Sequence, residues 1–343
     1  MKRIGYLYEK IYDKENIRKA IILASQNKKK RRDIQRYLNN IDYYVNIIHS
    51  LLKNNKYRFT KGTVKTINEN TKKREITIPL FRDLVVQYAV LNIITPILKK
   101  PMYKWSCGSI PKRGNLYAMK YVKGVIQKHK PKYALKLDVK KFYHNIDIKI
   151  LHNKIKRRIK DKRVLELIWQ LLVVGSTNNK GIPIGYYTSQ WFSNFYLTSL
   201  DHYIKQELKV KHYVRYVDDM ICFGNNKRKL RLARDKIIRF LNERLNLEVK
   251  SNYQLFPIKI RKVDFVGYII DYETVKIRKR NLKMLKRRAK QVDEKNNIYY
   301  SQSYLSYHSW YYHAKSMFCK FFIRMKDKAR YYIANYSKEW NYD

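Results

Sequence analysis

The feature that most constrains this chain is a pair of adjacent aspartates, Asp218 and Asp219, between two β-rich runs, His212–Val217 and Met220–Gly224. Two short strands parted by two polar residues read as a hairpin, although neither loop residue is glycine. Neighbouring carboxylates in a tight turn repel and raise each other's pKa unless positive charge lies close by. Flanking strands must therefore hold the turn, and a cation or basic side chains must supply counter-charge. Aspartates also cap turns and strands in many proteins, so the pair by itself is consistent with a purely structural turn.

Positive charge is abundant. The 343 residues carry 76 Lys and Arg against 27 Asp and Glu, a formal net charge of +49 that is spread along the chain. That imbalance points to a polyanionic partner touched over a wide surface, nucleic acid first among them. Coding bias toward A/T would also enrich Lys, Asn, Ile and Tyr, but it does not explain the shortage of acids. Charge alone fits a ribosomal-type binder or an anionic-membrane binder as well as an enzyme. Hydrophobic residues make up 45% of the chain, enough to fill a core shared by two or three subdomains. Cys107, Cys222 and Cys319 lie far apart and form no CxxC pair, so neither a disulfide framework nor a zinc knuckle is indicated, and a reducing cytoplasm fits. The longest apolar run, Leu84 to Leu98, is broken by Gln87, Asn92, Thr95 and Pro96, and the N-terminus lacks a leader pattern. A soluble protein with no membrane partner is expected.

Periodicity gives the order of elements. Residues 1 to about 55 read as basic amphipathic helices with Ile17, Ile21, Ile22, Leu38, Ile41, Ile47, Ile48 and Leu51 as apolar positions. Short strands are expected at Tyr57–Phe59, Thr63–Ile67 and Glu75–Ile78 around the polar turn Asn68–Lys73, followed by a buried helix from near Arg82. Tyr133–Val139 is strand-like, Ile148–Val174 helical, Gly181–Pro183 a break, and Tyr187–Gln206 a further helix. After the hairpin come a helix over Lys227–Asn246, strands at Leu247–Val249 and Asp264–Ile270, and a basic, Tyr-rich helical tail, with no internal repeat.

Asp138 at the end of the Tyr133–Val139 run completes a set of three acids with Asp218 and Asp219. Two divalent ions about 3.5–4 Å apart stabilise both the entering and the leaving oxygen when a hydroxyl attacks a phosphate. Magnesium takes hard oxygen ligands, so a few aspartates on rigid strands suffice to hold such ions.

Several segments resemble the reverse transcriptase family, in the family's order, from about Tyr57 to Phe322. Leu137-Asp138-Val139-Lys140-Lys141-Phe142-Tyr143 looks like its first metal motif, and Tyr216-Val217-Asp218-Asp219 looks like its YxDD box. The resemblance implies an α+β right-hand polymerase fold: N-terminal helices and fingers over 1–130, a palm of antiparallel sheet backed by helices over 131–270, with 147–180 returning toward the fingers, and a short helical thumb over 271–343. It implies catalysis by Asp138, Asp218 and Asp219, with two Mg2+ ions (Mn2+ as substitute) held by these acids and Val139. Lys73-Arg74-Glu75-Ile76 with Pro79-Leu80-Phe81-Arg82-Asp83 is similar to the fingers segment whose Arg folds over the incoming dNTP, a role that falls to Arg74, with Lys65 as a second candidate. Leu84 stands where the family commonly has Arg. Tyr143 resembles the aromatic gate against a ribose 2′-hydroxyl, although an aromatic there also suits a core. Val263-Asp264-Phe265-Val266-Gly267-Tyr268 looks like the primer grip, with Phe265, Gly267 and Tyr268 contacting primer, and Tyr304–Ser316 resembles the thumb. His308 and His313 are five apart, which disfavours a zinc pair on one helix face.

Ile184-Gly185-Tyr186-Tyr187-Thr188-Ser189-Gln190, with Gly108-Ser109-Ile110-Pro111-Lys112-Arg113-Gly114, resembles the enzymes of diversity-generating retroelements, which copy a template RNA inaccurately at adenines to diversify a target gene. The subgroup adds Ile184, Gly185 and Gln190 to the nucleotide-binding residues. It implies template RNA, an RNA/DNA primer–template duplex and dNTPs as partners, together with a small basic helical-bundle accessory protein. A cytoplasmic enzyme of a bacterial host, or one encoded by its phage, is expected, with no nuclease, protease or RNase H-like segment. The alternatives kept open are a retron, group II-like or phage-defence reverse transcriptase, and a catalytically silent RNA-binding scaffold.

Overall fold

The computed structural model describes residues 3–69, 72–295, 297–314 and 320–336. Asn70 and Thr71 of the expected Asn68–Lys73 turn, Ser316 of the thumb segment and Cys319 lie outside them. The chain packs as two compact units, one drawn from residues 1–110, 138–209 and 233–252, the other from 111–137, 210–232 and 253–343.

In the first unit, helices Tyr8–Tyr12, Lys14–Ser25, Arg32–Asn39 and Ile41–Lys53 bury Ile11, Ile17, Ile21, Ile34, Ile48 and Leu52. The expected apolar stripe is narrower than its sequence pattern, because Ile22 points outward at 49% exposure. Asp13 caps the second helix through Asn16 N, and the Asn16 amide reaches Ala89 O at 3.1 Å, tying this layer to helix Phe81–Lys99. Phe81–Lys99 is long and apolar enough to cross a membrane by composition, yet 61% of its apolar window is buried inside the protein, so here it serves as a core helix.

Strand β1 (Thr63–Glu69) pairs antiparallel with β2 (Lys72–Ile78), and β3 is the short buried strand Ser106–Cys107. Tyr57–Phe59 is irregular rather than a strand. Its polar groups turn to Asp83 instead of a ladder: the buried Asp83 carboxylate accepts from Tyr57 OH at 2.5 Å, Thr60 N at 2.9 Å and Thr60 Oγ1 at 2.6 Å. Burial and the neighbouring Asp83 charge hold the Tyr57 hydroxyl well above its ordinary pKa, so it stays a donor.

The helix expected over Ile148–Val174 is two helices, Ile148–Lys156 and Lys162–Gly175. Asp161 breaks it: Oδ1 accepts from Val164 N at the start of the second helix, while Oδ2 accepts from Leu7 N and Tyr8 N at 2.9 and 3.0 Å. One carboxylate thus satisfies orphan amides of two helix N-termini, which a continuous helix would forbid. Tyr187–Gln206 is likewise divided into Tyr187–Tyr196, Thr198–His202 and a π-turn at Tyr203–Glu207.

In the second unit, the helix Asn115–His129 precedes β4 (Tyr133–Asp138), whose last residue opens the next segment of the first unit. β5 (His212–Tyr216), β6 (Asp219–Gly224) and β7 (Gln254–Pro257) complete one sheet with the neighbour order β5-β6-β4-β7, β7 running antiparallel to β4 from Tyr133↔Pro257 to Lys136↔Gln254. The strand expected at Asp264–Ile270 is a hairpin, β8 (Val263–Phe265) and β9 (Tyr268–Ile270), extended by β10 (Val275–Ile277). Its two turn residues, Val266 and Gly267, have φ of 43° and 89°, the left-handed pair of a type I′ hairpin. Helices Lys279–Lys295, Ile298–His313 and Lys320–Tyr336 close around Leu285, Val292, Tyr304, Tyr311 and Met325.

Asp83→Ala removes the acceptor of three hydrogen bonds and strands a buried Tyr57 hydroxyl, so denaturant unfolding should show a loss of about 2–3 kcal/mol. A change within about 0.5 kcal/mol would mean that Asp83 does not organise this corner.

Candidate active site

The hairpin that carries the paired acids sits one residue earlier than the sequence suggested. Tyr216 pairs with Asp219, so the loop is Val217-Asp218 and Asp219 is already the first residue of β6. Val217 takes φ 56°, a left-handed conformation that costs a β-branched residue about 1–2 kcal/mol. The turn is held from beneath: Arg215, fully buried, donates from Nη1 to Val217 O at 2.7 Å. Asp218 and Asp219, on either side of the step into β6, are both half-buried.

Lys136 of β4 extends this network in the second unit. Its ammonium lies 3.2 Å from Asp219 Oδ2 and donates to Asp264 O at 2.9 Å, with the Phe265 ring 6.0 Å away. One lysine therefore joins the acid on β6 to the β8–β9 hairpin. Asp264 in turn accepts from Arg278 Nε at 2.9 Å.

Asp138 belongs to the first unit. Beyond β4 the chain continues beside residues 248–250: Lys250 N donates to Asp138 O at 2.8 Å, Val139 bridges Val249, and Lys140 N donates to Glu248 O at 2.8 Å. The strand expected at Leu247–Val249 is reduced to this bridge. The Lys250 ammonium pairs with Asp138 Oδ2. Lys136, Lys250 and Arg215 were missed in the sequence. The legible signal was alternation, since Lys136 and Asp138 fall on one face of β4 while Leu135 and Leu137 fall on the other.

The expected ligands, Asp138, Asp218, Asp219 and the Val139 carbonyl, are all hard oxygens, the donor type magnesium takes. Among the described residues, no three His, Cys, Asp or Glu side chains gather as one metal-holding group. Lysines supply the counter-charge to Asp138 and Asp219 instead. The donor chemistry fits divalent cations, which would take the place of these ammonium groups.

The nucleotide-side candidates all fall in the first unit. Arg74 opposes Ile67 and Lys65 opposes Ile76 across β1–β2, so both basic side chains emerge on the same face of the ribbon, and both are exposed. Ile184 meets this ribbon through backbone, as Thr77 N donates to Ile184 O at 2.6 Å. Gly185 follows at φ 117°, and a Cβ there would lie 2.4 Å from Thr77 O, so only glycine allows this approach. Buried Gln87, also missed in the sequence as a site residue, fixes the next turn by accepting from Tyr187 N at 3.1 Å and Thr188 Oγ1 at 3.3 Å. Phe142 takes the core position while Tyr143 stays half-buried. Ser193 Oγ lies 3.3 Å from Tyr143 OH and 3.1 Å from Gln190 O, which links the expected gate to the helix carrying the exposed Gln190 side chain.

The primer-grip expectation needs correction in its side chains. Phe265 and Tyr268 are fully buried, and burial pushes the Tyr268 hydroxyl up to about 12. Neither ring is available to a primer, so only the Val266–Gly267 turn remains for such contact. Gly267 is itself packed, since a Cβ would lie 2.8 Å from Asn281 Nδ2. His308 is buried beside the rings of Tyr304 and Tyr311, in keeping with aromatic packing rather than metal binding.

The family description "Reverse transcriptase (RNA-dependent DNA polymerase)" matches residues 51–270, more than half of the chain and inclusive of all three acids. The chain belongs to the reverse transcriptase family. Among curated relatives of this reverse transcriptase, the Escherichia coli retron Ec73 reverse transcriptase is 27% identical over 198 residues, covering 54% of this chain and 60% of that protein. The group II intron-encoded protein LtrA of Lactococcus lactis is 31% identical over 173 residues, covering 48% of this chain and 28% of that protein. Protein YkfC of E. coli K12 is 26% identical over 147 residues, covering 40% and 39%. The chain thus spans less than two thirds of each of these relatives' lengths. Among solved structures, apo telomerase from Candida tropicalis aligns with a TM-score of 0.52 at 15% identity, over 82% of this chain and 59% of that one. This likeness shows the fold, an α+β right-hand polymerase with antiparallel sheets.

Proposed function

We propose that this protein is an RNA-directed DNA polymerase in which Asp138, Asp218 and Asp219 act as one site. The observation that carries the reading is topological: β4, which closes on Asp138, is the sheet neighbour of β6, which opens on Asp219. In this reading residues 1–130, 131–270 and 271–343 serve as fingers, palm and thumb. The three carboxylates and the Val139 carbonyl hold two Mg2+ ions, or Mn2+, which when bound stabilise charge on the attacking and leaving oxygens. Arg74 and Lys65 face the triphosphate of the incoming dNTP, and Tyr143 bars a ribose 2′-hydroxyl. Template RNA and the A-form primer–template duplex are gripped mainly through phosphates and 2′-hydroxyls, so binding weakens steeply with salt.

The subtype we propose is that of a diversity-generating retroelement, acting in the cytoplasm of a bacterial host with a small basic helical accessory protein. Support comes from Ile184, half-buried against β2, and exposed Gln190 in the Ile184–Gln190 segment. Isoleucine offers no side-chain hydrogen bond to a nucleotide, so correct and incorrect pairs differ by less, on the order of 0.5–1.5 kcal/mol. A retron or group II type is the second reading, favoured by the E. coli and L. lactis relatives.

Purified chain should extend a DNA primer on an RNA template with dNTPs and Mg2+, and Asp218→Asn should lower the rate by roughly a thousandfold. Tight RNA binding without extension would instead support a silent scaffold. Sequencing of the cDNA should show errors concentrated at template adenines, and Ile184→Gln should reduce them several-fold. An unchanged error spectrum would separate this residue from infidelity.

A further inference from the structure

The first unit contains a concavity none of whose lining residues belongs to the candidate active site. Its volume is about 600 Å3, and it lies among helix Ile148–Lys156, the π-turn Tyr203–Glu207 and the last turns of helix Lys227–Leu245. That size is typical of small-ligand sites, about 300–1,000 Å3. Arg157, Lys236, Arg239 and Arg244 line it; all four are exposed, and among the described residues none forms a salt bridge, although Glu207 and Glu243 share the cavity. Lys154 is different, since it donates to Tyr196 O and Ser199 Oγ, both at 2.6 Å, and belongs to the cavity floor.

The charges are organised rather than scattered. Lys236, Arg239, Phe240, Glu243 and Arg244 recur at three- and four-residue spacing, one face of a helix. Tyr203 stacks on Phe240 with centroids 4.5 Å apart, placed there by an irregular turn in which Leu208 N donates to Tyr203 O at 2.9 Å. Such π-turns interrupt regular helix at a cost and recur at functional positions. A cluster of cations that repel one another, beside an aromatic stack, suits an unpaired nucleotide strand better than a duplex, whose bases are hidden.

We propose that this cavity binds a single-stranded RNA segment, its phosphates on Arg157, Lys236, Arg239 and Arg244 and a base against the Tyr203–Phe240 stack. Planar guanidinium groups match phosphate oxygens in pairs, and the aromatic pair adds sequence-tolerant contact. The site gives the protein a hold on RNA outside the duplex, and it concerns binding alone, so it stands or falls separately from catalysis.

The test uses the full chain preloaded with unlabelled primer–template duplex and follows anisotropy of a labelled oligouridylate. Arg157→Ala/Lys236→Ala/Arg239→Ala should weaken binding roughly tenfold and flatten the log–log salt dependence by about 2. Lys10→Ala/Lys14→Ala/Lys29→Ala, which removes the same charge from exposed N-terminal positions, should shift it by no more than about twofold. 4-Thiouridine RNA should crosslink to peptides containing Tyr203 or Phe240, and Tyr203→Ala should abolish that crosslink. Equal losses in the two triple variants, displacement of the RNA by ATP or pyrophosphate alone, or crosslinks confined to other segments would each overturn the proposal.

Discussion

Carboxylates matched by ammonium groups are the interaction on which this architecture turns. Asp219 meets Lys136 and Asp138 meets Lys250, while buried Arg215 supports the Val217 carbonyl beneath the hairpin tip. These pairs are a quarter to two fifths exposed, a setting in which an ion pair contributes only about 0–1 kcal/mol. The lysines therefore supply counter-charge to the acids without holding them tightly. A divalent cation with two charges and several oxygen ligands would compete with such a partner, which is consistent with the metal site proposed for these acids.

Lys136 also shows how local chemistry reaches beyond the acids. By contacting both Asp219 and Asp264 O, it ties the hairpin to a neighbouring β-turn whose aromatic residues are spent on the core. Gln87 performs the parallel task in the first unit, fixing the Tyr187–Thr188 turn that follows Gly185. In both places a polar side chain, half-buried Lys136 or buried Gln87, contacts backbone, and backbone sets the presented residues. The charge of +49 belongs to a different scale: it suits a polyanion touched over a wide surface, whereas the strand site proposed beside Tyr203 is one local cavity.

Much of this was legible in the sequence wherever the signal was local. The β-rich runs around Asp218–Asp219, the break at Gly181–Pro183 and the amphipathic N-terminus each carry their own periodicity. What escaped depended on distant partners. Tyr57–Phe59 has strand composition, but Asp83 captures its polar groups; Ile148–Val174 has helical composition, but Asp161 is diverted to the amides of Leu7 and Tyr8. The hairpin register slipped by one because Val217 accepts a left-handed conformation that its side chain disfavours. Phe265 and Tyr268 looked exposed to a primer by motif, yet the β8–β9 hairpin alternates them into the interior.

The central claim is that acids from β4 and from the β5–β6 hairpin hold a common pair of divalent ions. Mn2+ titration of the full chain followed by electron paramagnetic resonance tests it most directly, comparing the unaltered protein with Asp138→Asn and Asp218→Asn. The account predicts two bound ions per chain in the presence of primer–template and dNTP, with each substitution weakening uptake of both. Manganese binding that is indifferent to Asp138, or to Asp218, would contradict it.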